Sequence, residues 1–308
     1  MFIDLLWRGF VVGLSFTIPG CSGGTFAVYV GVYDRLLHAI GNIFREFRKS
    51  FKFLFPFGIG LVLGILLFSW LMGILLRLNS FVTISAFVGL TLGGIPNLAK
   101  NVKGKKWGAS GILSFVIAAG IVVLMVVFQI VGGAAETDFF SLNFGSVLLL
   151  FTLGFVAAIT MIVPGVSGSG LLLLLGFYTA IVTNVVGNLL DPSSLGYNLG
   201  VLIPFALGAV TGVIVVSKLL ETVLRKWPVP SYLAIIGFIA ASAATLFLWM
   251  KDPSTGTAFV DQIPLYRDFF GYVGAHPWEL AASVFAFAAG LGGALLLVKF
   301  GAKGNHAA

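Results

Sequence analysis

The motif Pro-Gly-x-Ser-Gly occurs twice in this chain, each time inside a long apolar stretch: Pro19-Gly20-Cys21-Ser22-Gly23 and Pro164-Gly165-Val166-Ser167-Gly168. The flanks align without a gap at an offset of 145, so that Gly9, Phe10, Val11, Gly31 and Tyr33 recur as Gly154, Phe155, Val156, Gly176 and Tyr178. Nine of the 25 positions in 9–33 are identical in 154–178. Chance pairing of so apolar a composition gives about two or three, so the stretch is an internal duplication. It continues at an offset of 148, where Pro56, Gly60, Gly64 and Gly89 recur as Pro204, Gly208, Gly212 and Gly237. Ala118-Ala119-Gly120 is a weaker match to Ala288-Ala289-Gly290. Paired helix breaks in corresponding halves of a membrane protein point to a transporter's binding site.

The membrane enters through composition. Of 308 residues, 59% are hydrophobic and 9% charged, where a soluble domain carries about 25% charged residues. The apolar runs exceed the roughly 20 residues that cross a bilayer as a helix. The expected fold class is all-α: a polytopic integral membrane protein forming one membrane domain over 1–308. Asp4 and Arg8 interrupt the N-terminal run, so no cleavable signal peptide is expected. The net charge of +7 sits in short loops, where it sets topology, and does not indicate a nucleic-acid partner. Cys21 is the one cysteine and allows no intramolecular disulfide. His38, His276 and His306 are too far apart for metal-ligand spacing, so neither metal nor cofactor is expected.

The apolar segments read as a broken segment over 2–44, interrupted at 19–24, then spans at 53–77, 80–98 and 109–132. A second broken segment covers 145–190, interrupted at 164–169, and spans follow at 199–224, 231–250 and 278–299. Arg45, Arg48, Lys49 and Lys52 precede the first full span, and Lys100, Lys103, Lys105 and Lys106 fill the next basic loop. Arg225, Lys226, Lys299 and Lys303 follow later spans. The positive-inside rule places these regions, and both termini, in the cytoplasm. The loops near Glu136-Asp138, Asp191 and 251–277 then fall outside. The pattern is consistent if each broken segment returns to the side it came from. Each half, 1–150 and 151–308, is then one re-entrant hairpin plus three spans. Three is odd, so the halves form an inverted-topology repeat.

Proline lacks a backbone donor and biases the preceding residue, Ile18 or Val163, away from helix. Thr25 to Tyr33 is nine residues, about 13 Å of helix or roughly half the hydrocarbon core, which predicts a re-entrant half-helix. The arm 171–190 carries no charge and is long enough to be re-entrant or to span fully. Helix-start amides have no intrahelical partner and, with the dipole, favour an anion. Ser22, Thr25, Ser167 and Ser169 add hydroxyls, and Gly20, Gly23 and Gly24 permit turns that other residues resist. A phosphate or carboxylate is the expected ligand. A single copy would serve equally well as a packing kink between helices; two copies in matched positions favour binding. Cys21 reads as a small filler, since Val166 replaces it in the other copy.

Asp34 and Arg35 follow the first motif where Thr179 and Ala180 follow the second. Arg35 suits guidance of an anionic head group, or the two form an interfacial pair that snorkels. Lys218, Glu221 and Arg225 stand at i, i+3 and i+7 and are expected to pair mutually. Arg77 reads as an outer interface anchor, and His38 as an interfacial residue or a proton-coupling group.

At these motifs the chain resembles the bacterial and archaeal polyprenyl-phosphate transporters, long a domain of unknown function. The segment from Phe16 through Thr25 to Arg35 is similar to their first signature, and Pro164 through Ser169 to Tyr178 to their second. Gly93-Gly94-Ile95-Pro96 resembles a further segment, while Cys21 departs from the aliphatic residue expected there. The resemblance implies a flippase that returns undecaprenyl phosphate from the outer to the cytoplasmic leaflet for reuse in envelope polymers. Its partners would be the polyprenyl-phosphate lipid and the membrane, with a proton or sodium ion as candidate coupling ions; oligomeric state is left open. Two rivals remain. A small-anion transporter or channel could use the same half-helix site. A lipid-phosphate phosphatase would need a nucleophile with its base, or a metal, near the motifs, and no histidine or acidic cluster lies there.

Overall fold

The computed structural model describes residues 2–18, 22–131, 141–164, 171–172, 175–177, 180–181, 185, 191–256 and 262–304. Its helices, in chain order, begin with α1 (Phe2–Ser15), α2 (Gly23–Tyr29), α3 (Tyr33–Gly41) and α4 (Phe47–Leu78). α5 (Ser80–Leu92), α6 (Ile95–Ala99), α7 (Gly108–Val131) and α8 (Phe144–Ile162) follow. The chain continues through α9 (Leu195–Lys226), α10 (Pro228–Thr245), α11 (Phe269–Ala275) and α12 (Pro277–Gly304). Helices satisfy their own backbone, as hydrocarbon requires. Among the described residues six stretches are long and apolar enough to cross a membrane: Phe47–Leu78, Ser80–Ala99, Gly108–Phe128, Leu195–Lys226, Pro228–Leu248 and Pro277–Gly301. The protein is an all-α, multi-pass membrane protein, and the six stretches coincide with the six spans expected from sequence. Their outer faces are apolar and exposed, as at Leu66, Trp70, Val116, Leu207 and Phe285.

α4 starts earlier than the expected 53. Arg48, Lys49 and Lys52 form its first turns instead of a loop, because long unbranched side chains suit a helix and reach out from it. Pro56 and Pro204 both lie inside long helices, α4 and α9.

Among the described residues four helix pairs are packed so tightly that backbones touch at glycines. A side chain on Gly9 would collide with the Phe57 carbonyl, and one on Gly60 with the Leu6 carbonyl, joining α1 to α4. The same contacts recur between α8 and α9, where Gly154 meets the Phe205 carbonyl and Gly208 that of Phe151. Gly89 meets the Phe287 carbonyl and Gly290 that of Ala86 (α5 with α12), and Gly237 meets the Phe115 carbonyl (α10 with α7). Gly120 has open space beside it. Its sequence match to Gly290 is therefore not a match of packing. Residue numbers rise together across each interface, so all four pairs are parallel. Small residues let membrane helices approach this closely.

Two pairs join the sequence halves: α5 with α12, and α7 with α10. Lys218 near the end of α9 lies on Gly41 at the end of α3, just ahead of α4. α9 therefore ends where α4 begins and runs opposite to it. At the other end, Ser80 Oγ donates to the Lys251 carbonyl at 2.6 Å and accepts from the Lys251 amide at 2.9 Å. Asn79 Nδ2 donates to the buried Glu279 carboxylate at 2.6 Å, and the Tyr272 hydroxyl donates to the same group. These bonds fasten the 250–279 connection over the α4–α5 corner.

Candidate functional site

The first broken segment is built from local bonds. α1 stops at Ser15, whose hydroxyl bonds the Val12 carbonyl at 2.6 Å; Thr160 bonds the Ala157 carbonyl at the same distance near the end of α8. Val163, before Pro164, is extended at φ −75° and ψ 119°, as its neighbour's ring demands. Pro19, Gly20 and Cys21 lie outside the described residues, as do Gly165, Val166, Ser167, Gly168 and Ser169.

Ser22 is the N-cap of α2. Its Oγ accepts from the Thr25 amide at 3.4 Å and lies 3.1 Å from Thr25 Oγ1. Sequence reasoning assigned both hydroxyls to a ligand; the structure engages them with each other and with the helix start. Ser22, Gly23, Gly24 and Thr25 are all buried, so the rest of the protein covers the start of α2.

α2 ends at Tyr29, not at Tyr33 as its length suggested. The amides of Val30, Gly31 and Val32 bond the carbonyls of Phe26, Val28 and Ala27 at 2.9, 3.1 and 2.9 Å. Gly31 takes φ +71°, a left-handed cap that an L side chain resists. In the second copy Leu175 and Phe177 bond the Leu171 and Leu172 carbonyls at 3.0 and 2.9 Å, and Gly176 takes φ +77°. The chain therefore turns at Gly176 as it does at Gly31, while most of the uncharged arm 171–190 lies outside the described residues.

The two breaks meet. A side chain at Gly24 would lie 2.8 Å from the Ile162 carbonyl oxygen and 3.1 Å from the Pro164 nitrogen. The Tyr33 hydroxyl donates to the same Ile162 carbonyl at 3.0 Å. Pro164 is itself buried. Other helices hold α2 from its remaining sides. The Tyr29 hydroxyl donates to the Thr91 carbonyl of α5; Gly94 leaves room for the Tyr29 ring, and Gly301 of α12 lies against Val30.

Sequence reasoning used Arg8 only to exclude a signal peptide. It is 2% exposed, bonds Asp4 at 3.0 Å and donates to the Val30 carbonyl at the end of α2. A buried guanidinium thus satisfies the half-helix's C-terminal carbonyl and complements its dipole. The matching residue of the other copy is Leu153, so only one half has this brace. The hint was a charge at i+4 from Asp4 within an apolar run.

Arg35 and Asp34 are exposed, beyond the packed ends of the breaks. The Arg35 guanidinium lies over the Phe53 ring at 5.3 Å, on the face of α4. The mutual pairing of Lys218, Glu221 and Arg225 does not form. Glu221 Oε1 instead bonds His38 Nδ1 at 2.9 Å, across from α9 to α3. A partner from another helix wins over one at helical spacing.

A family model described as undecaprenyl phosphate translocase-like matches residues 12–260. The polyprenyl-phosphate transporter of Staphylococcus aureus is 32% identical over 244 residues, 78% of this chain and 84% of the relative. The polyprenyl-phosphate transporter of Vibrio cholerae is 25% identical over 286 residues, 86% of this chain and 84% of the relative. No solved structure gives a significant match.

Proposed function

The chain belongs to the undecaprenyl phosphate translocase-like family, and on that premise we propose that it translocates a polyprenyl monophosphate from the outer to the cytoplasmic leaflet of the cytoplasmic membrane. The family and its named relatives are transporters, not enzymes. The observation that carries the reading is the contact of Gly24 with Ile162 and Pro164, which brings the two Pro-Gly-x-Ser-Gly breaks to one place. The phosphate binds there, between Pro19–Thr25 on one side and Pro164–Ser169 on the other, while the isoprenoid tail stays in lipid. Arg35, with Asp34 beside it, stands past the break where a head group leaves.

The halves 1–150 and 151–308 act as inverted repeats about this site. Three features support that reading: the matched glycine contacts of α1–α4 and α8–α9, the matched caps at Gly31 and Gly176, and the opposite run of α4 and α9. Repeats of this kind give two faces that open in alternation. Both termini lie in the cytoplasm in this arrangement, where the basic residues gather.

The test is transport in reconstituted vesicles of a polyprenyl phosphate against its free alcohol and a plain phospholipid. The phosphate alone should cross. Ser22→Ala and Ser167→Ala should each weaken head-group binding about tenfold, and the double variant should be non-additive if both hydroxyls serve one phosphate. Equal handling of the alcohol would overturn the assignment of the breaks to phosphate.

A further inference from the structure

Between α3 and α9 lies a cavity of about 520 Å³ lined by His38, Asn42, Lys218, Glu221, Arg225 and Lys226, with Thr222 on its wall. Its acid is already committed: Glu221 bonds His38 at 2.9 Å, and Asn42 Nδ2 reaches the same carboxylate at 3.5 Å. Glu46, the other carboxylate near His38 at 4.0 Å, pairs with Lys49 at 3.1 Å. Among the described residues Lys218 and Arg225 have no ion-pair partner, and Lys226 lies over the Trp227 ring at 4.7 Å. Three cations therefore face one cavity whose carboxylate is turned to a histidine. Guanidinium binds phosphate oxygens as a fork and ammonium as a point charge. Basic pockets between membrane helices on the cytoplasmic side suit lipid head groups.

The position matters as much as the charge. α3 begins at Tyr33, bonded to Ile162 at the meeting of the breaks, and reaches the cavity with His38 and Asn42. Its nine residues span about 13 Å. One wall of the cavity comes from each sequence half. We infer that this cavity is a phosphate-monoester subsite that receives the head group of the carried lipid on its way into the cytoplasmic leaflet. The assignment rests on the proposed transport reaction for its substrate, but the test below does not depend on transport.

A single thiol is placed on the wall as Thr222→Cys in a Cys21→Ser background, with the protein in neutral nanodiscs. The rate of its modification by an anionic thiosulfonate is measured with geranyl phosphate, geraniol, inorganic phosphate or phosphatidylglycerol added. Geranyl phosphate should slow labelling about tenfold, and geraniol should not. Lys218→Gln with Arg225→Gln should remove the protection, while labelling by a neutral maleimide checks that the thiol stays accessible. Absence of protection by geranyl phosphate, or protection that survives the double substitution, overturns the subsite. Inorganic phosphate or phosphatidylglycerol protecting as well as geranyl phosphate overturns its assignment to the carried lipid. Protection in a protein that fails to move polyprenyl phosphate would sink the transport reading and leave the subsite standing; transport without protection would do the reverse.

Discussion

The Tyr33 hydroxyl donates to the Ile162 carbonyl at 3.0 Å, joining the start of α3 to the last turn of α8 across 129 residues of sequence. Both partners are buried, and the bond is a direct polar tie between the segments that follow and precede the two breaks. Tyr33→Phe keeps the ring and leaves the carbonyl without this donor. It should cost about 2 kcal/mol of stability, seen as a lower Tm in detergent. Transport should fall more than the loss of folded protein explains. An unchanged Tm and rate would mean that the tie is incidental.

Gly24 and Gly23 should respond differently to added bulk. At Gly24 a side chain meets the Ile162 and Pro164 backbone at 2.8 and 3.1 Å, which cannot swing away. At Gly23 it meets the Phe16 ring, and that ring is 37% exposed and free to turn. Gly24→Val should abolish transport and cost about 2–3 kcal/mol, whereas Gly23→Ala should cost less than about 1 kcal/mol. Equal losses in the two variants would refute this ordering.

Single cysteines at Lys105 and Ser254, both exposed, test orientation in a Cys21→Ser background. A membrane-impermeant maleimide added to intact cells should label Ser254→Cys and spare Lys105→Cys. Lysis should make both reactive. Labelling of both in intact cells would rule out the proposed placement of the basic loops.

Asp34 lies outside the six spans; although the residue is exposed, neighbouring atoms strip part of the water from its carboxyl, and that desolvation, then the charge of Glu221, raises it above the ordinary carboxylate range. A group that holds its proton more tightly when folded destabilises the fold as pH rises from its unfolded pKa through its folded one. Asp34→Asn should therefore raise Tm at pH 7. The gain should vanish well below about pH 3.9, where the wild-type carboxyl is protonated in both states. A lower Tm at pH 7 would indicate that Asp34 is held by a favourable partner.

The six spans were legible because length and hydropathy alone decide them, and the duplicated breaks because proline and glycine leave few alternatives. The end of α2 at Tyr29 was not legible. One glycine in an apolar run, Gly31, suits a turn or a close contact equally well, and only the φ of +71° separates them. Arg8 was misjudged for a related reason. Its bond to the Val30 carbonyl depends on the chain doubling back, which local sequence does not state. Glu221 shows the same limit from the other side: helical spacing offered it Lys218 and Arg225, but α3 brought His38 closer.

The pairing of α5 with α12 also governs how the chain is made. Helix α5 leaves the ribosome early, yet the surface that covers Gly89 is Phe287 and its neighbours, which are synthesised long after it. Until then the face of α5 at Gly89 waits for the helix that packs on it. Truncation before 277 should therefore leave Gly89 uncovered and the remaining protein easier to proteolyse than the full chain. The contact between α5 and α12 thus makes a late helix the condition for an early one to settle.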